Sequence, residues 1–579
     1  MKTLSRIEVL EHASNGVLLD ILCGPSAQLI IEMDSSFVAE IASAHNDGDI
    51  DALYLFSAEA MKKYEGHSHY KVERIFKMLL SEIEVSADRL LSTLNSVINA
   101  HDSDHLFPTQ ELSDWCRKCP TRVFEIFDAA ALIPSHESEC IAVGLTSGTQ
   151  NQTSALLDRA IQFLTNGSDA EKRGAALALS LLTIDEQQDW QRVLSTFDTV
   201  LDCETDEIRS AILRATFNRL KDAPPSQIDA MYSLITKGIS FPGDHVLRQL
   251  AYALAFNFED IPLPLAERLL DALTNVTSEQ PHIASLLDLG LMRFIQAGWP
   301  TQARRFIERA LAKRQENLSI EQFSSVRRKL LEVKGQPLED WVIAWLLNGD
   351  AWLCTALSHE FFDLEFANHW FDIDFHRVGL TDHEYAYLGR KVIGVFFYKP
   401  KVMTSIIVSL LRSASSTSKP QLVSLLKDPI LVNYSGTVRG FLQPIAESTS
   451  DPASASAKEA IQAEDDYLAG LRAPGIISEL HPSEREQQVE WQRRSDEMNE
   501  TMKESRKNSL FGSIISESIL LYGSRSVTWV ADLHQGPPRR LETPLTNIGH
   551  SMEIPREYVV DPLGLSYILY KFRTEKRPE

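Results

Sequence analysis

Four thiol and imidazole side chains between residues 116 and 140 have a spacing that fits a zinc site. Cys116 and Cys119 form a C-x2-C pair, and His136 and Cys140 follow as an H-x3-C pair after sixteen intervening residues. Thiolate sulfur and imidazole nitrogen are the usual ligands of structural zinc. The pattern therefore predicts one four-ligand metal site in the N-terminal part of the chain.

Two other interpretations of these residues stay open. Spacings of three and four residues also place side chains on one face of a helix, so two ordinary helices with reduced cysteines would show the same pattern. The string from Trp115 to Pro120 also resembles the redox motif of thioredoxin. No βαβ pattern surrounds that string, although a thioredoxin-like motif requires this context.

A second cluster, between residues 359 and 384, is rich in histidine and carboxylate side chains. An imidazole beside a carboxylate can transfer protons, and several such groups can bind a hydrolytic metal ion. Aromatic residues at every second or third position also fit a buried packing surface. The candidate catalytic residues are His359, Asp363, His369, Asp372, Asp374, His376 and His383.

The densest basic region of the chain lies between residues 304 and 329. Such a region can bind phosphate groups or an acidic partner, but it can also be a solvated face whose charges pair with neighbouring acidic helices. The candidate patch comprises Arg304, Arg305, Arg309, Lys313, Arg314, Arg327, Arg328 and Lys329.

In the middle of the chain, a pattern of polar turns and apolar stretches recurs about every 37 residues. The candidate residues described above lie within this repeat or beside it. Similar apolar stretches follow four polar turns, which are marked by Asp169, Asp206, Asp244 and Pro281. Prolines at 225, 264, 300 and 337 stand near the starts of a second apolar series, where a helix tolerates proline. Each repeat is therefore predicted to be a helix pair, with equivalent buried positions at Leu177, Leu213, Tyr252 and Leu289.

A helix-pair repeat of this length resembles the units of HEAT and armadillo proteins. The resemblance is one of architecture, covers about a third of the chain and carries no particular activity. It implies that neighbouring pairs stack and bury the hydrophobic faces that a single pair leaves open. The predicted fold is therefore mainly α, a HEAT-like α-solenoid with a small C-terminal α/β module.

Shifts in composition divide the rest of the chain. Residues 1–155 are predicted to be an N-terminal helical region, 156–350 the HEAT-like repeats, and 351–475 an aromatic-rich helical region. Residues 476–510 have few apolar positions and are predicted to be a polar helix or linker. In the C-terminal module, 511–579, the stretches SILLYG and VTWVAD are separated by SRS and predict a β-hairpin.

Charge, cysteine content and missing motifs limit the classes of function. With 80 acidic and 57 basic residues among 579, the chain carries a formal net charge of −23, which repels an extended phosphate backbone. Six cysteines are too few for a disulfide framework and fit a reducing cytoplasm. No run of about 18 apolar residues occurs, so a membrane span is not expected. The phosphate-loop, dinucleotide-binding, nucleophile-elbow and zinc-protease motifs do not occur either.

These features together predict a non-catalytic scaffold or adaptor that binds one or more proteins. A negatively charged body favours partners that are basic or of mixed charge, and neither nucleic acid nor a membrane is an expected partner. No cofactor is expected apart from a structural zinc ion. By analogy, such a chain would be an accessory subunit of a multi-component intracellular system, as in bacterial antiviral defence. The alternatives are an enzyme with an unfamiliar site around 359–384 and a nucleic-acid-binding protein that uses the patch at 304–329.

Overall fold

The described part of the chain is predominantly α-helical. In the computed structural model it comprises residues 5–23, 36–57, 63, 67–99, 107–148, 152–312, 318–333, 335–361, 369–475, 481–507, 525–530, 539–544 and 553–578. The chain forms two compact units, Met1–Val333 and Lys334–Glu579. The five segments expected from composition are a finer division, which stays a prediction. None of the described helices combines the length and the apolar character that crossing a bilayer requires.

Eighteen α-helices are described in the first unit. In chain order they are α1 (Arg6–Ser14), α2 (Leu18–Cys23), α3 (Ser36–Asn46), α4 (His67–Leu80), α5 (Ala87–Ile98), α6 (Thr109–Lys118), α7 (Arg122–Ala129), α8 (Glu137–Thr146), α9 (Thr153–Asn166), α10 (Asp169–Leu179), α11 (Gln187–Cys203), α12 (Asp206–Arg219), α13 (Pro225–Ile239), α14 (Asp244–Phe256), α15 (Leu263–Leu273), α16 (Pro281–Gln296), α17 (Pro300–Ala312) and α18 (Ser324–Val333).

Two layers of helices account for the sequence repeat. Helices α8, α10, α12, α14, α16 and α18 pack on one another in that order and form the first layer. Helices α9, α11, α13, α15 and α17 do the same and form the second layer. Asp169, Asp206, Asp244 and Pro281 are the first residues of α10, α12, α14 and α16. The predicted stacking of four helix pairs is confirmed, and it is compatible with a helical-repeat architecture.

Short polar contacts join successive repeats at the N-termini of the first-layer helices. The Oδ2 of Asp206, the first residue of α12, accepts a hydrogen bond from the backbone N of His245 in α14 at 2.7 Å. The carboxylate of Asp288 in α16 accepts bonds from the backbone N atoms of Ser325 and Val326 in α18, at 2.8 and 3.0 Å. A carboxylate at a helix N-terminus satisfies N–H groups that have no partner in the helix. Each of these acidic residues therefore stabilises the start of the next first-layer helix.

The predicted equivalence of the four buried positions is wrong by one residue in one repeat. Leu213 is fully buried, but Leu177, Tyr252 and Leu289 are only half-buried. When the helix starts are aligned, Arg214 is the residue of α12 that corresponds to these three. The error arises because matching leucine with leucine moves α12 out of register by one position.

A small buried residue occupies the next position in each of these four helices. The residues are Ala178, Ala215, Ala253 and Gly290. A Cβ atom on Gly290 would lie 2.9 Å from the Cβ of Leu254 in α14, which is closer than such atoms pack. Small residues at this position therefore let neighbouring first-layer helices approach each other closely.

Ten α-helices and two strands are described in the second unit. The helices are α19 (Gln336–Asn348), α20 (Ala351–Ala356), α21 (Asp382–Phe396), α22 (Pro400–Ser413), α23 (Lys419–Leu425), α24 (Ser435–Glu447), α25 (Ser454–Arg472), α26 (Glu484–Lys507), α27 (Arg556–Val560) and α28 (Pro562–Thr574). The strands are β1 (Arg525–Val530) and β2 (Arg539–Pro544).

The strands differ from the predicted hairpin. Strand β1 pairs antiparallel with β2, and Val527 lies opposite Glu542. The prediction instead paired VTWVAD with SILLYG, residues 518–523, which lie outside the described part of the chain. Two short strands form only a ribbon, which has little stability of its own. The predicted C-terminal α/β module is therefore not supported.

The last described segment, 553–578, is part of the helical body of the second unit. Leu565 and Leu569 of α28 are buried where this helix packs on α21. A Cβ atom on Gly394 of α21 would lie 2.8 Å from the backbone N of Arg573. Glycine at this position therefore permits the close approach of the two helices.

Charged side chains of α21 also hold the end of α28. The buried Lys391 donates from its Nζ to the backbone O atoms of Arg573 and Glu575, at 2.7 and 2.8 Å. Carbonyl groups at the end of a helix have no partner within it, so these bonds satisfy them. The guanidinium of Arg390 adds two hydrogen bonds to the carboxylate of Glu575, at 2.6 and 2.7 Å.

Candidate functional site

The three cysteines of the predicted zinc site have different surroundings. Cys116 of α6 and Cys140 of α8 are fully buried, on helices that pack together. Cys119 is half-buried at the C-terminal end of α6, and its sulfur lies 3.2 Å from the Oγ1 of Thr121. Only the first two cysteines therefore face the interior of the first unit.

The fourth predicted ligand, His136, makes contacts of another kind. Its ring stacks on Phe107 with 5.1 Å between the ring centroids, and its Nδ1 lies 3.9 Å from the carboxylate of Glu139. Among the residues that the structure describes, no three His, Cys, Asp or Glu side chains are grouped so that they could share a metal ion. All four predicted ligands are described, so the structure does not bring them together as the predicted site.

These different surroundings give the three thiols different pKa values. Burial raises the pKa of Cys116 and that of Cys140 to about 12, because desolvation disfavours the thiolate. The hydrogen bond from the side chain of Thr121 lowers the pKa of Cys119. A thiol must ionise before it can attack an electrophile or bind a metal. Of these three cysteines, Cys119 is therefore the one suited to reaction.

In the histidine- and carboxylate-rich stretch, residues 371–374 form an extended segment that packs against α22. Buried and exposed residues alternate along the stretch: Phe371, Ile373 and Phe375 are buried, whereas Asp372, Asp374 and His376 are exposed. The backbone N atoms of Phe371 and Ile373 donate to the Oγ atoms of Ser405 and Ser409, at 2.9 and 3.1 Å. The aromatic spacing seen in the sequence is therefore that of a packed segment.

No three of the described candidate catalytic residues in this stretch are grouped so that they could hold a metal ion. Asp372 pairs with Arg412 at 2.6 Å. Asp374 caps a short 3₁₀ helix by accepting a hydrogen bond from the backbone N of His376 at 3.0 Å. Of the others, His359 and His383 are exposed, His369 is half-buried, and Asp363 lies outside the described residues. The described carboxylates thus serve ion pairing and helix capping.

The predicted basic patch is divided between the two layers of the first unit. Arg304, Arg305 and Arg309 lie on α17 in the second layer, Arg327, Arg328 and Lys329 lie on α18 in the first layer, and Lys313 and Arg314 lie outside the described residues. Arg309 pairs with Asp271 at 2.6 Å, and Lys329 pairs with Glu332 at 3.4 Å. Such contacts are those of a solvated face whose charges pair with acidic neighbours.

A different surface of the first layer carries positive charge without partners. A groove of about 420 Å³, lined only by first-layer residues, crosses α8, α10, α12 and α14. The side chains of Arg214 and Arg248 line it, and both residues are exposed. Neither guanidinium forms an ion pair with any residue that the structure describes. Arg173 also lines the groove, but it pairs with Glu207.

The rest of the groove combines a polar donor with apolar side chains. Gln249 is only 7% exposed, and its Nε2 is buried without a protein acceptor in the described chain. A buried donor left unpaired costs about 1–3 kcal/mol. Leu177 and Tyr252 line the groove as half-buried residues, and the Tyr252 ring lies 4.6 Å from that of the exposed Phe256. The groove can therefore bind an anionic group flanked by apolar ones.

The sequence held a signal for this groove that the leucine alignment hid. Arg214, Leu177 and Tyr252 are each the ninth residue of their helix. When the helices are aligned by their first residues, Arg214 takes the place that apolar residues hold in α10 and α14. An arginine at this position indicates that the position faces solvent.

A second surface with exposed apolar side chains lies on the C-terminal helices of the second unit. Leu563, Tyr567 and Tyr570 form a stripe along α28, on the side away from the buried Leu565 and Leu569. Leu563 is 83% exposed and Tyr567 is 69% exposed. Also exposed are Tyr558, Val559 and Val560 of α27. Contiguous apolar surface of this kind is typical of protein interaction sites.

Comparisons with known proteins do not assign these surfaces to a family. The sequence matches no model of a known protein family and no curated protein. The function therefore has to be inferred from the physical properties of the groove and the stripe themselves.

Proposed function

We propose that this chain is a non-catalytic scaffold or adaptor that binds other proteins. In this proposal the stacked helix pairs of the first unit form a HEAT-like solenoid wall, and the C-terminal helices of the second unit supply a further contact. The chain would act as an accessory subunit of a multi-component intracellular system, with catalysis in a neighbouring protein. Its partners would be basic or of mixed charge, because the chain is acidic.

The observation that carries this proposal is the exposed apolar stripe of α28. One side of the helix buries Leu565 and Leu569 in the second unit, while Leu563 and Tyr567 on the other side face solvent. A soluble protein rarely leaves a helix apolar on two sides unless the second side is covered by another molecule. Tyrosine and leucine side chains so placed can fill pockets on a partner and supply much of the binding energy.

Photo-crosslinking in native cells tests this proposal. A photo-reactive amino acid placed at Tyr567 is expected to give discrete adducts with one or a few proteins. The same amino acid at Lys458, an exposed residue of α25, is the matched control in the same unit. The double variant L563S/Y567S should abolish the adduct formed through a probe at Tyr570.

The proposal is overturned if neither stripe position gives an adduct above the background at Lys458. It is also overturned if the adducts from Tyr567 and Lys458 are the same, because the stripe would then have no selectivity. Loss of folding in the L563S/Y567S variant is checked by circular dichroism, and the side chains concerned are exposed, so a change below about 0.5 kcal/mol is expected.

A further inference from the structure

We propose that the groove across α8, α10, α12 and α14 binds an acidic peptide segment of a partner protein. This inference rests on the proposed scaffold function and names the chemistry that the first unit recognises. Carboxylates of the segment would pair with Arg214 and Arg248, and neighbouring aliphatic or aromatic side chains would cover Leu177 and Tyr252.

The local charge of the groove is opposite in sign to that of the chain. Three arginines and two glutamates line it, which leaves a surplus of one positive charge in a protein of net charge −23. Arg173 and Glu207 neutralise each other, and the Nε2 of His245 lies 3.7 Å from the same glutamate. The cations left for an incoming ligand are thus Arg214 and Arg248.

The chemistry of these two cations favours carboxylates. A guanidinium presents paired N–H donors that match both oxygens of a carboxylate, and such bidentate pairs are strong and directional. Gln249 also lines the groove, but its Nε2 is buried, so the two exposed guanidinium groups are the donors that an incoming carboxylate can reach. Peptides offer both carboxylate and backbone carbonyl oxygens.

An acidic peptide fits this groove better than a nucleic acid does. Binding of a nucleic acid relies on many phosphate contacts, about 6–10 in well-bound complexes. Only two arginines of the groove are without ion pairs among the described residues, and Glu139 and Glu207 also line it. Leu177 and Tyr252 are half-buried, so they offer apolar contact to side chains and not open platforms for stacked bases.

Selection from a phage-displayed library of short random peptides on the full-length chain tests the inference. The enriched peptides are expected to be rich in Asp and Glu and to carry at least one Leu, Phe, Tyr or Trp. The most enriched peptide is then synthesised with a fluorescent label, and its dissociation constant is measured by anisotropy.

Two double variants show where the peptide binds. R214Q/R248Q should weaken binding by at least about tenfold, because two charge-assisted pairs are lost. R268Q/R472Q removes two exposed arginines outside the groove, one from α15 and one from α25, and should change the dissociation constant by less than about twofold. Equal weakening by both pairs would indicate unspecific attraction and would overturn the assignment to the groove.

The remaining outcomes are equally decisive. If no acidic peptides are enriched, or if the enriched peptides bind R214Q/R248Q as tightly as the wild type, the groove does not recognise acidic segments. If a mixed-sequence single-stranded oligonucleotide displaces the peptide at lower concentration than the unlabelled peptide itself, the groove is a nucleic-acid site. Crosslinking at Tyr567 is independent of these results, so the scaffold proposal can stand or fall separately.

Discussion

In the first-layer helices α10, α12 and α14, a step of one residue changes the surroundings of a side chain from groove to core. In α12, Arg214 lies in the groove, whereas Leu213 before it and Ala215 after it are buried. Successive residues of a helix are about 100° apart around its axis, so a shift of one position exchanges a binding residue for a packing residue. Single substitutions in these helices therefore separate stability from binding.

Truncation of two leucines measures this difference directly. Leu213 is fully buried, and a Cβ atom on Gly238 of α13 would lie 2.6 Å from its Cδ2, so it packs tightly between the layers. Leu213→Ala should lower the free energy of unfolding by about 2–5 kcal/mol. Leu177→Ala removes a half-buried side chain at the groove and should cost about 1 kcal/mol. Urea denaturation followed by circular dichroism measures both, and equal losses would contradict the register found for α12.

The sequence predicted the starts of individual helices, because these depend on local signals. The turn residue Asp206 begins α12, and Pro225 begins α13, because caps and prolines at helix starts act within one turn. The periodicity of apolar residues predicted the number of stacked helix pairs. It did not give the register of α12, since both Ile212 and Leu213 are buried and a wide apolar arc fits two alignments.

The docking of the C-terminal helix could not be predicted in this way. Arg390 contacts Glu575, 185 residues further along the chain, and Glu384 contacts Arg577, 193 residues away. No local pattern connects residues so far apart in sequence. The groove was missed for a related reason, because it combines side chains from four helices whose pairing depends on the register.

The contact between Glu384 and Arg577 gives a pH-dependent test of that docking. The Glu384 carboxylate accepts a bond from the backbone N of Thr381 at 2.9 Å and two from Arg577 at 2.5 and 2.8 Å. The backbone bond, followed by the arginine bonds, lowers the pKa of Glu384. Since the folded-state pKa is below the unfolded one, about 4.3, these contacts stabilise the fold above that pH. The stabilisation is lost as the pH falls through the lowered pKa.

Arg577→Gln should therefore destabilise the second unit at neutral pH and have less effect in acid. We expect a loss of about 0.5–1 kcal/mol at pH 7, because Arg577 is half-exposed and solvent screens the pair. The difference between the variant and the wild type should begin to shrink below about pH 4.3 and should vanish as the pH falls through the lowered pKa of Glu384. Lys576→Gln, at the neighbouring exposed position, is the control and should show no such convergence. A constant difference across the pH range would mean that Arg577 acts through packing alone.

The negative net charge of the chain and the positive charge of the groove act on a partner over different distances. The net charge of −23 produces a field that attracts positively charged surfaces as they approach. The groove carries a surplus of only one positive charge, so its arginines act mainly at short range, within about one Debye length of 8 Å at physiological salt. A partner of mixed charge satisfies both conditions, with a basic surface that is steered toward the chain and an acidic segment that fits the groove.

This separation predicts that salt and the groove arginines affect different rate constants. For a partner protein whose acidic segment binds the groove, the association rate constant should fall by about tenfold or more between low and high salt, as electrostatic steering is screened. R214Q/R248Q should leave this salt dependence nearly unchanged and should raise the dissociation rate constant, because contact pairs act after the encounter. Biolayer interferometry at several salt concentrations measures both constants. Association that becomes faster with salt would show that the partner is acidic overall, and the body of the chain would then repel it.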